Sequence, residues 1–231
     1  MHPEMYIGQL GNGEKQGDGI YALLRKIIDN SVKEFQIGHG REIEVTVTSD
    51  DEVTVRDYGK GIPFEDLVRF ASPVNVCPGC IMAPGSKWTP PPASMKIVNA
   101  FSRHFTVISR RGGMSMTVTY ENGELKNTQK GMVADADGTE VSFVPSIRTF
   151  PGFHYRLKHL RHWMQHYARL HPGLILVLTS VEVFFATRHP EGGARESKSL
   201  RLLTSAIQAE RERKIARPES AGKDWQKQVL H

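Results

Sequence analysis

The chain has 231 residues, of which 39% are hydrophobic, enough for one well-cored domain of about 200 residues followed by a tail. It has no apolar run near the roughly 18 residues of a membrane helix and no signal-peptide pattern, which argues against a membrane protein and makes the cytoplasm the expected location. Thirty Lys and Arg against 25 Asp and Glu give a net charge of +5, which suits work near nucleic acid but also occurs in many soluble proteins.

An amphipathic helix followed by a β-hairpin is the first strong pattern along the chain. Apolar residues at helical spacing predict a helix over 23–35, in which Asn30 lies one turn beyond Lys26 on nearly the same face. After a glycine-containing turn, alternation of polar and apolar residues predicts a strand over 42–48 and a returning strand over 52–57.

The returning strand ends in the segment Asp57-Tyr58-Gly59-Lys60-Gly61-Ile62-Pro63. Two glycines one residue apart let the backbone approach a ligand closely, and a carboxylate at a strand end is placed to accept hydrogen bonds from an amino group. Taken alone, such a segment is more often a loop than a site. Its position directly after the helix and hairpin is what makes it specific.

Five motifs in this order resemble the ATPase domain of the GHKL superfamily, and within it the B subunits of type IIA DNA topoisomerases. They are His2 to Gly8, the helix with Asp29-Asn30, Asp57 to Pro63, Ile97 to Ser102 and Asp137 to Phe143. The resemblance covers residues 2 to 205 and implies an α+β fold, a two-layer sandwich whose mixed sheet is covered by helices on one face. Residues 1–205 are therefore expected to form this domain, and the charged residues 206–231 a frayed or disordered tail.

The resemblance also implies a nucleotide site for ATP and Mg²⁺. Asp57 would take the adenine amino group, with Gly61 and Thr139 lining the same pocket and Gly59, Gly61 and Ile62 forming its floor. The side-chain oxygen of Asn30 would bind the magnesium ion that bridges the phosphates, since such an oxygen suits a hard cation.

Two departures from the family affect the phosphate end of this site. Lys26 stands where the family has the glutamate that acts as general base, and a lysine with a reference pKa of about 10.4 is already protonated near neutral pH. Lys26 should attract phosphate instead, so no catalytic residue is predicted. Glu34, the nearest carboxylate on that face, is interpreted as a solvated helix charge.

The second departure is Pro92-Ala93-Ser94 at the position of the family's Gly-x-Gly phosphate lid. Proline has no N–H and cannot adopt positive φ, so donors and closing geometry are lost together. Ser94 is still expected to cap a helix over 95–104. The pattern predicts retention of the fold with a weakened hold on phosphate.

The second half of the chain reads as a meander, a helix and a buried strand. Strands are predicted over 105–109, 114–120 and 139–144, with turns at 110–113 and 121–124, then a helix over 153–170 and a strand over 174–178. Arg110 and Arg111, at a predicted hairpin tip, are candidates for DNA contact, although a solvated tip is commoner.

Histidine and cysteine groups leave alternatives open. His159, His162 and His166 have spacings that a metal can use, but a basic surface face is favoured because no acidic or cysteine partner accompanies them. Cys77 and Cys80 form a CxxC pair, for which half a zinc site and a redox dithiol are weighed against two reduced thiols in a loop. The third interpretation is favoured.

By resemblance, the partners are DNA and a topoisomerase A-type subunit. A homodimer is also expected in the family, but almost nothing precedes His2-Pro3, where the family's dimerisation arm lies. One functional hypothesis is the ATPase domain of a type II topoisomerase B-type protein, coupling ATP binding and hydrolysis to DNA topology, with an altered catalytic position. The alternative is a non-catalytic relic of the same fold, acting as a weak nucleotide-binding or protein-interaction module.

Overall fold

The computed structural model describes residues 3–48, 50–73, 94–180 and 184–187, the last of these as backbone. The helices are α1 Glu4–Ile7, α2 Gly19–Gln36, α3 Phe64–Ala71, α4 Ser94–Ala100 and α5 Leu157–Leu170. The strands are β1 Glu42–Val47, β2 Val53–Asp57, β3 Ser102–Arg111, β4 Met114–Glu121, β5 Glu124–Met132, β6 Gly138–Pro145, β7 Ile175–Ser180 and β8 Phe184–Thr187.

These strands form one sheet in the order β5-β4-β3-β6-β2-β1-β7-β8. Only β1 and β7 pair in parallel, with Val45 opposite Leu178, and the other neighbours are antiparallel. The predicted hairpin is present as β1 and β2, and the expectation of a mixed sheet is confirmed.

Alternating burial shows which face of the sheet the helices cover. Val45, Val55 and Phe143 point into the core and are at most 1% exposed. Their neighbours on the other face are polar, and the hydroxyls of Thr54 and Ser142 lie 2.7 Å apart there. The apolar face packs against the helices, which confirms the two-layer arrangement with helices on one face.

Helix α2 is the central element of the helical layer. Its apolar side chains recur at helical spacing and are almost fully buried, and they are Ile20, Leu23, Leu24, Ile27 and Ile28. Each such side chain contributes roughly 1.5–3 kcal/mol when it is removed from water. The helix predicted over 23–35 is confirmed and extends one turn further towards the N-terminus.

Three predicted boundaries are wrong. Helix α4 ends at Ala100 and not at residue 104, because the Ser102 hydroxyl donates to the Val98 carbonyl at 2.6 Å and β3 begins there. The turn after β3 contains only Gly112 and Gly113, both at positive φ, so residues 110 and 111 belong to the strand. Helix α5 begins at residue 157 and not 153, because Arg156 is extended and donates its N–H to the Tyr21 hydroxyl.

Several elements have no counterpart among the sequence predictions, namely α1, α3, β5 and β8. Cys77, Cys80 and Pro92 lie outside the described residues, as do residues 206–231. Among the helices that the structure describes, none is long and apolar enough to cross a membrane.

Candidate functional site

Asp57, the last residue of β2, lies at the centre of a hydrogen-bonded cluster. Its Oδ1 accepts the backbone N–H groups of Gly59 and Thr139, each at 3.0 Å. Its Oδ2 accepts the hydroxyl of Ser31 at 2.9 Å. One carboxylate thereby joins the end of β2, the loop that follows it, β6 and helix α2.

The environment of Asp57 leaves it one acceptor position. The residue is 5% exposed, and burial raises the pKa of its carboxyl, while the hydrogen bonds from Gly59, Thr139 and Ser31 lower it and the Glu34 charge raises it further. A carboxylate has about four lone-pair positions, and the three donors occupy three of them. By this count, the lone-pair position that remains is on Oδ2.

The loop after Asp57 is supported by β3. Arg111 donates from Nη1 to the Gly61 carbonyl at 2.7 Å, and the Ser109 hydroxyl donates to the Ile62 carbonyl at 2.6 Å. Gly61 has a φ of +70°, and a Cβ there would lie 2.6 Å from the carbonyl oxygen of Arg110. Only glycine fits both the conformation and the space, so the loop lies directly against the strand.

Glu34, interpreted from the sequence as a solvated helix charge, also takes part in this loop's support. Its Oε2 accepts the backbone N–H of Lys60 at 3.2 Å. A Cβ on Gly59 would lie 2.8 Å from the Glu34 Cγ, which shows how closely helix and loop approach. The absence of a side chain at Gly59 is what allows that contact.

Thr139 reaches Asp57 because the residue before it is glycine. Gly138 begins β6 with a φ of +138°, and a Cβ there would lie 2.1 Å from the carbonyl oxygen of Asp57. The close approach of the two backbones brings the Thr139 N–H within hydrogen-bonding distance of the carboxylate. Thr139 itself is buried.

Asn30 and Lys26 lie on a neighbouring flank of α2. Asn30 precedes Ser31, and both its Oδ1 and its Nδ2 are buried with no hydrogen-bond partner. Lys26, half-buried one turn earlier, has no ion pair with the part of the chain that the structure describes. Burial lowers the pKa of the Lys26 ammonium, Asp29 raises it, and Arg25 lowers it. An unpaired amide oxygen fits a hard cation such as Mg²⁺.

The two arginines of the predicted hairpin tip are engaged within the protein, so the interpretation as a solvated tip is wrong. Arg110 pairs with Glu140 at 3.0 Å and with Asp135 at 3.4 Å, and its side chain is 12% exposed. Arg111 supports the loop at Gly61. Neither is a free cation on the surface.

The histidines of α5 show no metal arrangement. A ring nitrogen of His159 lies 2.9 Å from the carbonyl oxygen of Glu14, and the rings of His162 and His166 meet Trp163 edge-on. Within residues 3–48, 50–73 and 94–180, no group of three or more His, Cys, Asp or Glu side chains is arranged to hold a metal ion. The exposed His162 and His166 lie on a surface that also carries Lys158 and Arg169.

The sequence interpretation missed several residues that build this cluster, namely Ser31, Ser109, Arg111 and Gly138. Ser31 offered a signal, since it is a polar residue on the apolar face of an amphipathic helix. The other three act from strands distant in sequence, and their roles depend on the sheet register.

Comparison with known proteins places these features in a family. Residues 15–148 match the family described as histidine kinase-, DNA gyrase B- and HSP90-like ATPase. The chain is 35% identical to the B subunit of DNA topoisomerase 4 from Borreliella burgdorferi over 181 residues, covering 74% of this chain and 29% of that protein. It is 30% identical to the B subunit of DNA gyrase from Micrococcus luteus over 192 residues, covering 78% of this chain and 26% of that protein.

The fold has a matching solved structure, the 43K ATPase domain of Thermus thermophilus gyrase B in complex with an aminocoumarin. The TM-score is 0.66 at 25% sequence identity, and the match covers 80% of this chain and 48% of the other. The chain thus spans less than a third of the length of the two curated relatives from Borreliella and Micrococcus.

Proposed function

This chain belongs to the histidine kinase-, DNA gyrase B- and HSP90-like ATPase family, as a GHKL domain of the type IIA topoisomerase B kind, and on that premise we propose that it binds adenine nucleotide. In the proposal, it is the ATP-binding domain of a cytoplasmic protein that works on DNA topology together with an A-type subunit. DNA and that subunit are its proposed partners. The end of the nucleotide site that would bind the phosphates is altered, and the domain no longer hydrolyses ATP.

The observation that carries the proposal is the geometry of Asp57. A buried carboxylate with three internal donors and one acceptor position left is suited to a ligand that offers a single N–H, as the adenine amino group does. Gly59, Gly61, Ile62 and Thr139 would line the pocket around the base. The backbone contacts at Gly61 and Gly59 fix the loop before a ligand arrives.

Asn30 is the proposed ligand for Mg²⁺, because its buried Oδ1 has no other partner. When bound, the ion would neutralise charge on the nucleotide phosphates. Lys26 occupies the general-base position one turn away, and a protonated ammonium cannot accept a proton from water. This residue favours the second candidate function, a non-catalytic nucleotide-binding or protein-interaction module of the same fold.

Titration of the purified chain with a fluorescent ATP analogue, competed with adenosine, tests the proposal. Asp57→Asn should weaken adenosine binding by about 10- to 100-fold, because the amide presents N–H to a ligand that needs an acceptor. Asp66→Asn, which breaks only a surface pair with Arg69, is the matched control and should leave affinity unchanged. No binding of analogue or adenosine by a folded protein would refute the proposal.

Turnover is tested separately with the same preparation. The isolated chain should show no ATP hydrolysis above background with Mg²⁺, on account of Lys26. Lys26→Glu should not restore it, because Pro92, at a position where the resembled family has glycine, offers no N–H. Magnesium-dependent phosphate release by the native chain, measured in a coupled assay, would contradict the loss of catalysis while leaving nucleotide binding intact.

A further inference from the structure

The polar residues of α2 divide between two flanks of the helix. Positions 26 and 30 are one turn apart and share a flank, whereas positions 25 and 29 share another. The second flank is engaged with α5: the guanidinium carbon of Arg25 lies 4.4 Å from the Trp163 ring centre, and the Asp29 carboxylate accepts the Tyr167 hydroxyl. The charged groups nearest to Lys26 in sequence are therefore occupied elsewhere.

Lys26 is consequently a half-buried ammonium without a neutralising contact. Asp29 influences it through space, but no carboxylate of the described residues lies within ion-pair distance. Its partial burial, which also lowers its pKa, makes an incoming anion a stronger partner than it would be in bulk solvent. Beside it, the Asn30 amide has an unused donor as well as an unused acceptor.

We propose that Lys26 binds the nucleotide phosphates directly and supplies the positive charge that a divalent cation would otherwise bring, so that polyphosphate binding at this site does not require Mg²⁺. The inference rests on the proposed function, since it concerns the same nucleotide site. Asn30 Nδ2 is placed to donate to the same phosphate. A fixed ammonium one turn from Asn30 also weakens cation binding there, so Mg²⁺ on the Asn30 Oδ1 would add to phosphate binding without being required for it.

This arrangement differs from a site that has merely lost its phosphate contacts. In a degraded site, adenosine and ATP bind equally well and Lys26 has no effect on either. In the proposed site, the phosphates add affinity in the absence of metal, and that gain depends on the ammonium.

The experiment is calorimetric titration with adenosine and with ATP, in EDTA and in Mg²⁺. In EDTA, ATP should bind at least about 10-fold more tightly than adenosine, as expected for a charge-assisted hydrogen bond. Lys26→Gln should reduce that ratio to near unity without changing adenosine affinity, and Lys26→Arg should keep it. Lys158→Gln, which changes an exposed lysine on α5, is the matched control and should leave the ratio unchanged.

Three results would overturn the inference. The first is preference for ATP over adenosine only when Mg²⁺ is present, and the second is an undiminished ratio in Lys26→Gln; both leave the proposed function standing. The third is no binding of either compound under any condition by a protein whose circular dichroism shows it folded, which removes the proposed function as well.

Discussion

Three hydrogen bonds from three different segments converge on Asp57, whereas on the neighbouring flank of α2 the Asn30 amide has no partner at all among the described residues. The first region is fixed by the fold itself, since its donors come from backbone and a buried hydroxyl. The second contains buried polar groups that the described chain leaves unsatisfied, a state that costs free energy unless something else pairs with them. In the proposed function, the first region would be shaped before binding and the second would be completed by the ligand.

The largest expected effect tests how rigidly the first region is built. Gly61→Ala should lower the free energy of unfolding by about 2–4 kcal/mol, from left-handed backbone strain and overpacking against the Arg110 carbonyl. Gly112→Ala is the matched control, because its φ is +58° but nothing lies within 4 Å of the added Cβ. It should lose only about 1 kcal/mol, from strain alone.

Urea denaturation of both variants gives the comparison. Equal losses in the two would mean that the loop yields to the added methyl group, and the view of a preformed pocket floor would fail.

The second effect concerns the buried charge of Asp57. Burial raises the pKa of the Asp57 carboxyl, so the folded state binds the carboxyl proton more tightly than the unfolded state does. The contribution of this group to the free energy of unfolding is therefore lost as the pH rises through the raised pKa. Asp57→Asn is neutral at every pH and keeps the shape of the group. It should therefore be more stable than the native protein at pH 7 and equal to it below about pH 4, the reference range for aspartate.

Thermal unfolding between pH 4 and pH 8 measures this difference, and 1 kcal/mol corresponds to about 2–4 °C in Tm for a chain of this size. If the Tm of the native protein rises relative to that of Asp57→Asn with increasing pH, the hydrogen bonds to the carboxylate outweigh its burial. The pKa of Asp57 would then be lowered and not raised.

The smallest expected effect links the contact between α5 and α2 to the flank of α2 that carries Lys26 and Asn30. Tyr167→Phe removes the donor to Asp29, and the freed carboxylate, three residues from Lys26, can then compete with phosphate for its ammonium. ATP affinity in EDTA should fall by about two- to five-fold. Tyr155→Phe, which loses a hydrogen bond to the Ile20 carbonyl at the other end of the helix, should leave affinity unchanged.

Unfolding experiments on the same pair control for stability, since each variant should lose about 1 kcal/mol. A matching loss of affinity in Tyr155→Phe would attribute the effect to helix stability and not to Asp29.

Periodic burial explains which parts of the fold the sequence predicts. Helix α2 and the hairpin of β1 and β2 each have one apolar face, and their patterns predict them closely. Strand β5 is exposed along almost its whole length, so no alternation marks it. The predicted helix is longer than α4 because Phe101 and Phe105 continue the apolar spacing of the helix. In the structure Phe105 belongs to β3, and Phe101 lies between α4 and β3.

The site divides in the same way between local and distant contacts. The spacing of Asp57, Gly59 and Gly61 lies within five residues and is legible in the sequence. The groups that hold this segment are Ser31, Ser109 and Arg111, between 26 and 50 residues away from the atoms they contact. Which of them meets the loop is decided by strand register, which a single sequence does not specify.

The parallel pairing of β1 with β7 has a consequence for synthesis on the ribosome. β1 lies between β2 and β7, yet β7 leaves the ribosome about 130 residues later, on the order of ten seconds at usual elongation rates. Throughout that interval one edge of β1 has its backbone groups free in the nascent chain, and such an edge recruits strands from other molecules. Slow translation of the second half of the gene would therefore extend the period in which chaperones must shield this strand.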